Sequence, residues 1–167
     1  MITVKVNGEE RQYPQGATYE DVANDYQKEY DNLIALAARD GKIRELFKKL
    51  TRDCEITFFT LKDNVGNKTY VRSATMLFLK AVFDIYGREA AQNCRVEFAV
   101  GNGSYISPRG QIAATADNAA KILDKMRELV AAKTPFLKRS YSLDNAMELF
   151  HTEGMKDKEK LFRYRRG

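Results

Sequence analysis

The stretch Val4–Ala23, VKVNGEERQYPQGATYEDVA, decides how the front of this chain folds. Ile2, Val4 and Val6 alternate with Thr3 and Lys5, the period of two expected of a strand with one buried face. Asn7-Gly8 supplies residues that tolerate the left-handed backbone of a tight hairpin turn, so a second strand follows. Pro14 and Gly16 end that pattern. Thr18, with Asp21 three positions later, forms the reciprocal pair that caps a helix start. Tyr19, Val22, Ala23 and Tyr26 then fall at i, i+3, i+4 and i+7, one face of that helix. A helix packed across a hairpin is the opening of a β-grasp.

Outward from this stretch, Asn32 to Ala38 reads as an apolar strand, Asp40-Gly41 as a turn, and Glu55 to Leu61 as a closing strand rich in β-branched and aromatic residues. The spacing of Tyr13, Tyr19, Tyr26 and Tyr30 fits a core or half-buried helix face better than a stacking platform. Residues 62–72, KDNVGNKTYVR, are polar and contain glycine, which places a boundary near Leu61. A long helix is predicted from Ser73, its N-cap, to Tyr86. Met76, Leu77, Phe78, Leu79, Val82 and Phe83 wrap most of its circumference, so it should be central and buried. Val96, Phe98 and Val100 alternate into a strand, and Asn102-Gly103 turns it back towards Tyr105 and Ile106. Thr115 opens a helix with a stripe of Ile122, Met126, Leu129 and Val130, ended by Pro135. A shorter helix runs from Ser142 to Phe150 and closes near Gly154, and Lys156 to Phe162 adds one or two turns. The expected class is α+β: a β-grasp over residues 1–61, then an α/β module over residues 62–167.

The 167 residues, 44% hydrophobic and 31% charged, suffice for a real core. No apolar run reaches the roughly 18 residues of a membrane span, and the start MITVKVNGEE has neither a basic leader nor an apolar targeting core. A cytoplasmic location without a membrane partner is expected. Cys54 and Cys94 lack CxxC spacing and read as reduced core thiols. The formal net charge of +5 is uneven, about −2 over residues 1–61 and +7 over residues 62–167. That asymmetry favours phosphate-rich partners, although a solvated basic face explains it more simply.

Candidate chemistry is sparse. No G-x-x-x-x-G-K-[ST] phosphate loop occurs. GNGSYISPRG places Ile106 where G-x-G-x-x-G needs its third glycine, so a hairpin turn is the better reading of Gly101 and Gly103. His151, the single histidine, follows Leu149 and Phe150 near a helix end and has no evident partner as a general base. Arg163, Arg165 and Arg166 flank Tyr164, downstream of Lys156, Lys158 and Lys160. This basic and aromatic tail is the candidate phosphate or RNA contact. Asp157 and Glu159 interrupt it, and a linker packing on an adjoining domain accounts for it equally well.

With its NG hairpin, P-x-G-x-T and acidic helix start, the front segment resembles the TGS domain, a ubiquitin-like module that heads threonyl-tRNA synthetases and several GTPases. After it, YVRSATMLFLKAVFDIYG, GNGSYIS and AAKILDKMRELVAAKTPFLKRSYSLDNAMELF are similar to the helix, hairpin and following helix, strand and helix of the synthetase's editing domain. The family's buried helix carries H-x-x-x-H, later completed by C-x-x-x-H, as metal ligands. Alignment puts Ser73 and Leu77 at the two histidine positions, and no later C-x-x-x-H exists. Leucine cannot bind a metal and serine is a poor zinc ligand, so the resemblance implies no metal site and no editing catalysis here.

The ending, LKRSYSLDNAMELF followed by GMKDKEKLFRYRR, resembles the lead-in to the kinase domain of threonyl-tRNA synthetase-like uridine (nucleoside) kinases. That resemblance implies a non-catalytic regulatory or assembly region, with no catalytic or cofactor residues of its own, stopping before a P-loop kinase domain. The downstream domain would be its partner, and nucleoside, ATP and Mg would belong to the whole protein. RNA is a lesser expectation. Two alternatives stay open: the N-terminal TGS and inactive editing region of a threonyl-tRNA synthetase, or a free-standing RNA-binding regulatory protein.

Overall fold

The computed structural model describes residues 1–101, 103–108, 110 and 112–165. Strand β1 (Ile2–Val6) turns through Asn7 and Gly8, with φ of 51° and 88°, into antiparallel β2 (Glu9–Tyr13). Helix α1 (Tyr19–Tyr26) starts at Thr18, whose hydroxyl accepts from the Asp21 N–H while the Asp21 carboxylate accepts from the Thr18 N–H. This reciprocal pairing satisfies donors that an uncapped first turn would leave open. Strand β3 (Ile34–Arg39) turns at Asp40-Gly41, again with positive φ at both residues, into β4 (Lys42–Arg44), a short strand absent from the expectation. Strand β5 (Cys54–Thr60) then enters between β1 and β3.

The sheet order is β2-β1-β5-β3-β4, with β1 and β5 parallel and the other pairs antiparallel. That mixed sheet with α1 across it is a β-grasp. Its core contains Val4, Val6, Tyr19, Val22, Tyr26 and Ile56, all at most 1% exposed. The tyrosines thus build the core, and Tyr30 packs at its margin.

The Tyr19 and Tyr26 hydroxyls are buried without a hydrogen-bond partner among the described residues. A buried polar group lacking its partner costs stability that phenylalanine would not. Tyr19→Phe is therefore expected to leave the urea midpoint unchanged or to raise stability by up to about 1 kcal/mol. A clear loss in that melt would mean the hydroxyl is bonded in solution.

Helix α2 (Asn64–Asn93) begins nine residues before the expected N-cap and is broken at Gly87, where φ is 85° and ψ 179°. Residues 64–72 are therefore helix, not linker, and Ser73 lies inside it. Asp63 is the true N-cap; its carboxylate accepts from the Thr60 N–H and hydroxyl at 2.7 and 3.0 Å, closing a tight turn between β5 and α2. Gly66, read from sequence as a loop residue, is buried where the first turn of α2 meets the end of β5.

Burial on α2 is also narrower than expected. Ala81, Val82 and Ala90 are buried and Leu77, Phe78 and Leu79 partly so, whereas Met76 and Phe83 are 59% and 43% exposed. The helix presents one face to a second core and another to solvent.

That core is completed by the hairpin of β6 (Cys94–Val100) and β7 (Gly103–Pro108) and by α3 (Ala116–Ala131). Ile122 and Leu129 are buried and Met126 partly so; Val130, expected in the same stripe, is 62% exposed. The β6–β7 register shifts between Val96 and Ala99. The compact units of the chain are Met1–Ala131 and Ala132–Gly167, and position 61/62 lies inside the first, between its two cores.

In the second unit, residues 132–142 are neither helix nor strand, which corrects the expected strand between two helices. Pro135 cannot donate to a ladder, and Phe136 and Leu137 are exposed. Helix α4 (Leu143–Thr152) is capped by Ser142, which accepts from the Asn145 N–H, and the chain turns at Gly154 with φ of 68°. Helix α5 (Lys156–Arg163) packs back on α4 through an edge-on Phe150–Phe162 pair with ring centroids 5.0 Å apart. Among the described residues no helix is long and apolar enough to cross a membrane.

Candidate functional site

Ser73 and Leu77 lie four residues apart on α2, hence one turn apart on one face. The Ser73 hydroxyl donates to the Thr69 carbonyl at 3.1 Å, spending its proton within the helix. Leu77 packs against the second core. Among the described residues, no group of three or more His, Cys, Asp or Glu is placed to hold a metal.

Next to Leu77, Phe78 forms one wall of a cavity of about 250 Å³. The hairpin contributes Cys94 and Ile106, the connection into α3 contributes Ile112, and α3 contributes Ile122 and Met126. Polar groups gather where α3 begins. The Thr115 hydroxyl accepts from the Asn118 N–H at 3.3 Å. The Asn118 side chain accepts from the Tyr86 hydroxyl and donates to the Ala113 carbonyl, each at 2.9 Å, tying α3 to α2 across 32 residues of chain. Burial pushes the Cys94 thiol up, away from the reactive thiolate. None of its described lining residues is Asp, Glu, His, Lys or Arg. Sequence reading missed it, because its lining comes from α2, the hairpin and α3, which are separated along the chain.

Gly101, with φ of 57°, belongs to the β6–β7 turn, and Val100 pairs with Gly103 directly across it. No helix opens on these glycines, so they form a hairpin and not a phosphate cradle. Asn102, assigned to that turn from sequence, lies outside the described residues.

The basic tail is spent largely within the helix pair. Arg163 Nη2 lies 3.0 Å from Glu159 Oε1, whose other oxygen is 3.3 Å from His151 Nδ1. The Arg165 guanidinium sits 5.5 Å from the centre of the Phe162 ring, and the Lys158 ammonium 5.9 Å from that of Phe150. Arg166, the third residue of the candidate phosphate contact, lies outside the described residues.

The Arg163 hydrogen bond, and secondarily that from His151, holds the Glu159 carboxyl below its ordinary range. A carboxyl depressed in the folded state contributes stability at pH values above its unfolded pKa of about 4.3. That contribution is lost as pH falls through the lower folded value. Acid titration is expected to loosen the α4–α5 pair below about pH 4, and Glu159→Gln should abolish this pH dependence. Following the Phe150 and Phe162 ring resonances by NMR tests it; identical acid profiles for both proteins would refute the pairing.

No family model matches the chain. The threonine–tRNA ligase of Rhizobium etli is 30% identical over 156 residues, covering 93% of this chain and 23% of the relative. That of Thermotoga petrophila is 27% identical over 164 residues, covering 93% and 24%. That of Sinorhizobium fredii is 26% identical over 148 residues, covering 89% and 22%. The chain is similar to threonine–tRNA ligases. It spans about a quarter of the length of these curated relatives.

Proposed function

We propose that this chain is a non-catalytic region of the kind found at the front of threonyl-tRNA synthetases. Residues 1–61 would form the TGS β-grasp, and residues 62–167 an editing-like module without its metal. What carries the reading is ligase similarity over about nine-tenths of the chain, joined to serine and leucine at the metal-binding positions of α2. The whole protein would charge tRNA, with this region assisting assembly or tRNA placement. The second reading, the front end of a uridine (nucleoside) kinase using ATP and Mg, is favoured by the loss of both histidines and by the resemblance of the C-terminal segment to a kinase lead-in. Matches to ligases speak for the first reading.

The isolated chain is expected to carry no stoichiometric zinc and to leave mischarged tRNA intact. One zinc per chain by elemental analysis, or deacylation above the rate in buffer, would overturn the non-catalytic assignment. Assaying the full-length gene product for threonine attachment to tRNA and for phosphate transfer to uridine separates the two readings. Kinase activity without aminoacylation would reject the first of them. Deleting residues 1–167 and finding affinity, turnover and oligomeric state unchanged would reject an assisting role in either.

A further inference from the structure

We propose that the open-sided pocket lined by α2, the β6–β7 hairpin and α3 binds a neutral, ring-sized apolar molecule carrying one hydrogen-bonding group. Size comes first. An apolar cavity of about 150 Å³ already admits benzene, so about 250 Å³ takes a single ring with a few further atoms and falls short of a helix or strand from a partner. Chemistry comes next: Phe78, Ile106, Ile112, Ile122 and Met126 present aromatic, aliphatic and thioether surface. No charged side chain lines the space among the described residues, and an ion entering it would lose its hydration without a counter-charge. This described lining suits a neutral ligand.

The single hydrogen-bonding group follows from the start of α3. The Thr115 oxygen accepts from the Asn118 N–H, so its own proton is directed elsewhere. The Asn118 amide, fixed by Tyr86 and Ala113, retains a second N–H and a second lone pair. Both residues line the cavity at this one end. A group fixed before the ligand arrives costs little ordering on binding. Nothing in this inference depends on the likeness to the ligases, so it can fail while that reading stands.

Indole is a suitable probe, having one ring system and one N–H. Added to the full 167-residue chain with isoleucine and methionine methyls labelled for NMR, it is expected to give saturable shifts in the low-millimolar range or tighter. The methyls of Ile106, Ile112, Ile122 and Met126 should move while Ile2, Ile34 and Ile56 of the β-grasp core stay still. Indole-3-carboxylate, which is charged, should bind at least tenfold more weakly. Ala119→Phe, at an exposed position on the cavity wall, should abolish the shifts with the circular dichroism unchanged; Ala113→Leu serves if that variant does not fold. Absence of saturation up to the solubility limit of indole overturns the proposal. So do equal shifts in both cores, survival of binding in both folded variants, or movement of the same methyls on diluting the protein without indole, which would assign the cavity to a second copy.

Discussion

Gly66→Ala is expected to cost about 3 kcal/mol or more, although alanine is the better helix former by about 1 kcal/mol. A Cβ at Gly66 would lie 2.1 Å from the Thr60 carbonyl oxygen and 2.9 Å from its carbon. These are backbone atoms of a buried residue, not the free end of a side chain. Thr60 pairs with Ile34 in the sheet and is held by Asp63 through its N–H and hydroxyl. Relief must therefore come from moving β5 or the whole first turn of α2. Asn67→Ala, one residue on at an exposed position, should be neutral or slightly stabilising. Urea melts of both variants check the pair, and a Gly66→Ala midpoint at or above that of the parent would refute the close approach.

Val82→Asp should be comparably damaging. Val82 is 0% exposed in the second core, and a carboxylate there loses its hydration with no partner, at a cost of several kcal/mol. Leu77→Asp should cost less, because Leu77 is only partly buried and an aspartate there can reach water. Cys94, 7% exposed in the same core, is the reporter. In a Cys54→Ser background its thiol should react slowly in the parent, faster in Leu77→Asp and fastest in Val82→Asp. Equal reactivity in all three proteins would show that α2 does not seal this core.

Much of the β-grasp was legible because its signals are local. Asn7-Gly8 and Asp40-Gly41 demand positive φ, Thr18 and Asp21 cap each other within one turn, and alternation in Val4 and Val6 needs no knowledge of a partner strand. The errors gathered where burial depends on distant residues. Gly66 has the composition of a loop and the role of a contact, and only the position of Thr60 distinguishes the two. Met76, Phe83 and Val130 are apolar yet exposed, since hydrophobicity states what a side chain favours and not which face the fold covers. The family resemblance implied a strand between α3 and α4, but a strand exists only with a partner for its ladder. Among the described residues, 132–142 find none.

The same division holds for the candidate site. Sequence alone determined that positions 73 and 77 hold serine and leucine, so that a two-histidine ligand pair is chemically excluded there. It also determined the hairpin at Gly101 and Gly103, because that rests on the backbone preference of one or two residues. Only the tertiary structure decided that Phe78, Cys94, Ile112 and Met126, spread over almost fifty residues of chain, line one pocket, and that His151 on α4 faces Glu159 on α5. The physical reason is that a turn or a cap is set by neighbours along the chain, while a pocket or a contact between two helices is set by which surfaces remain to face each other once the elements have packed.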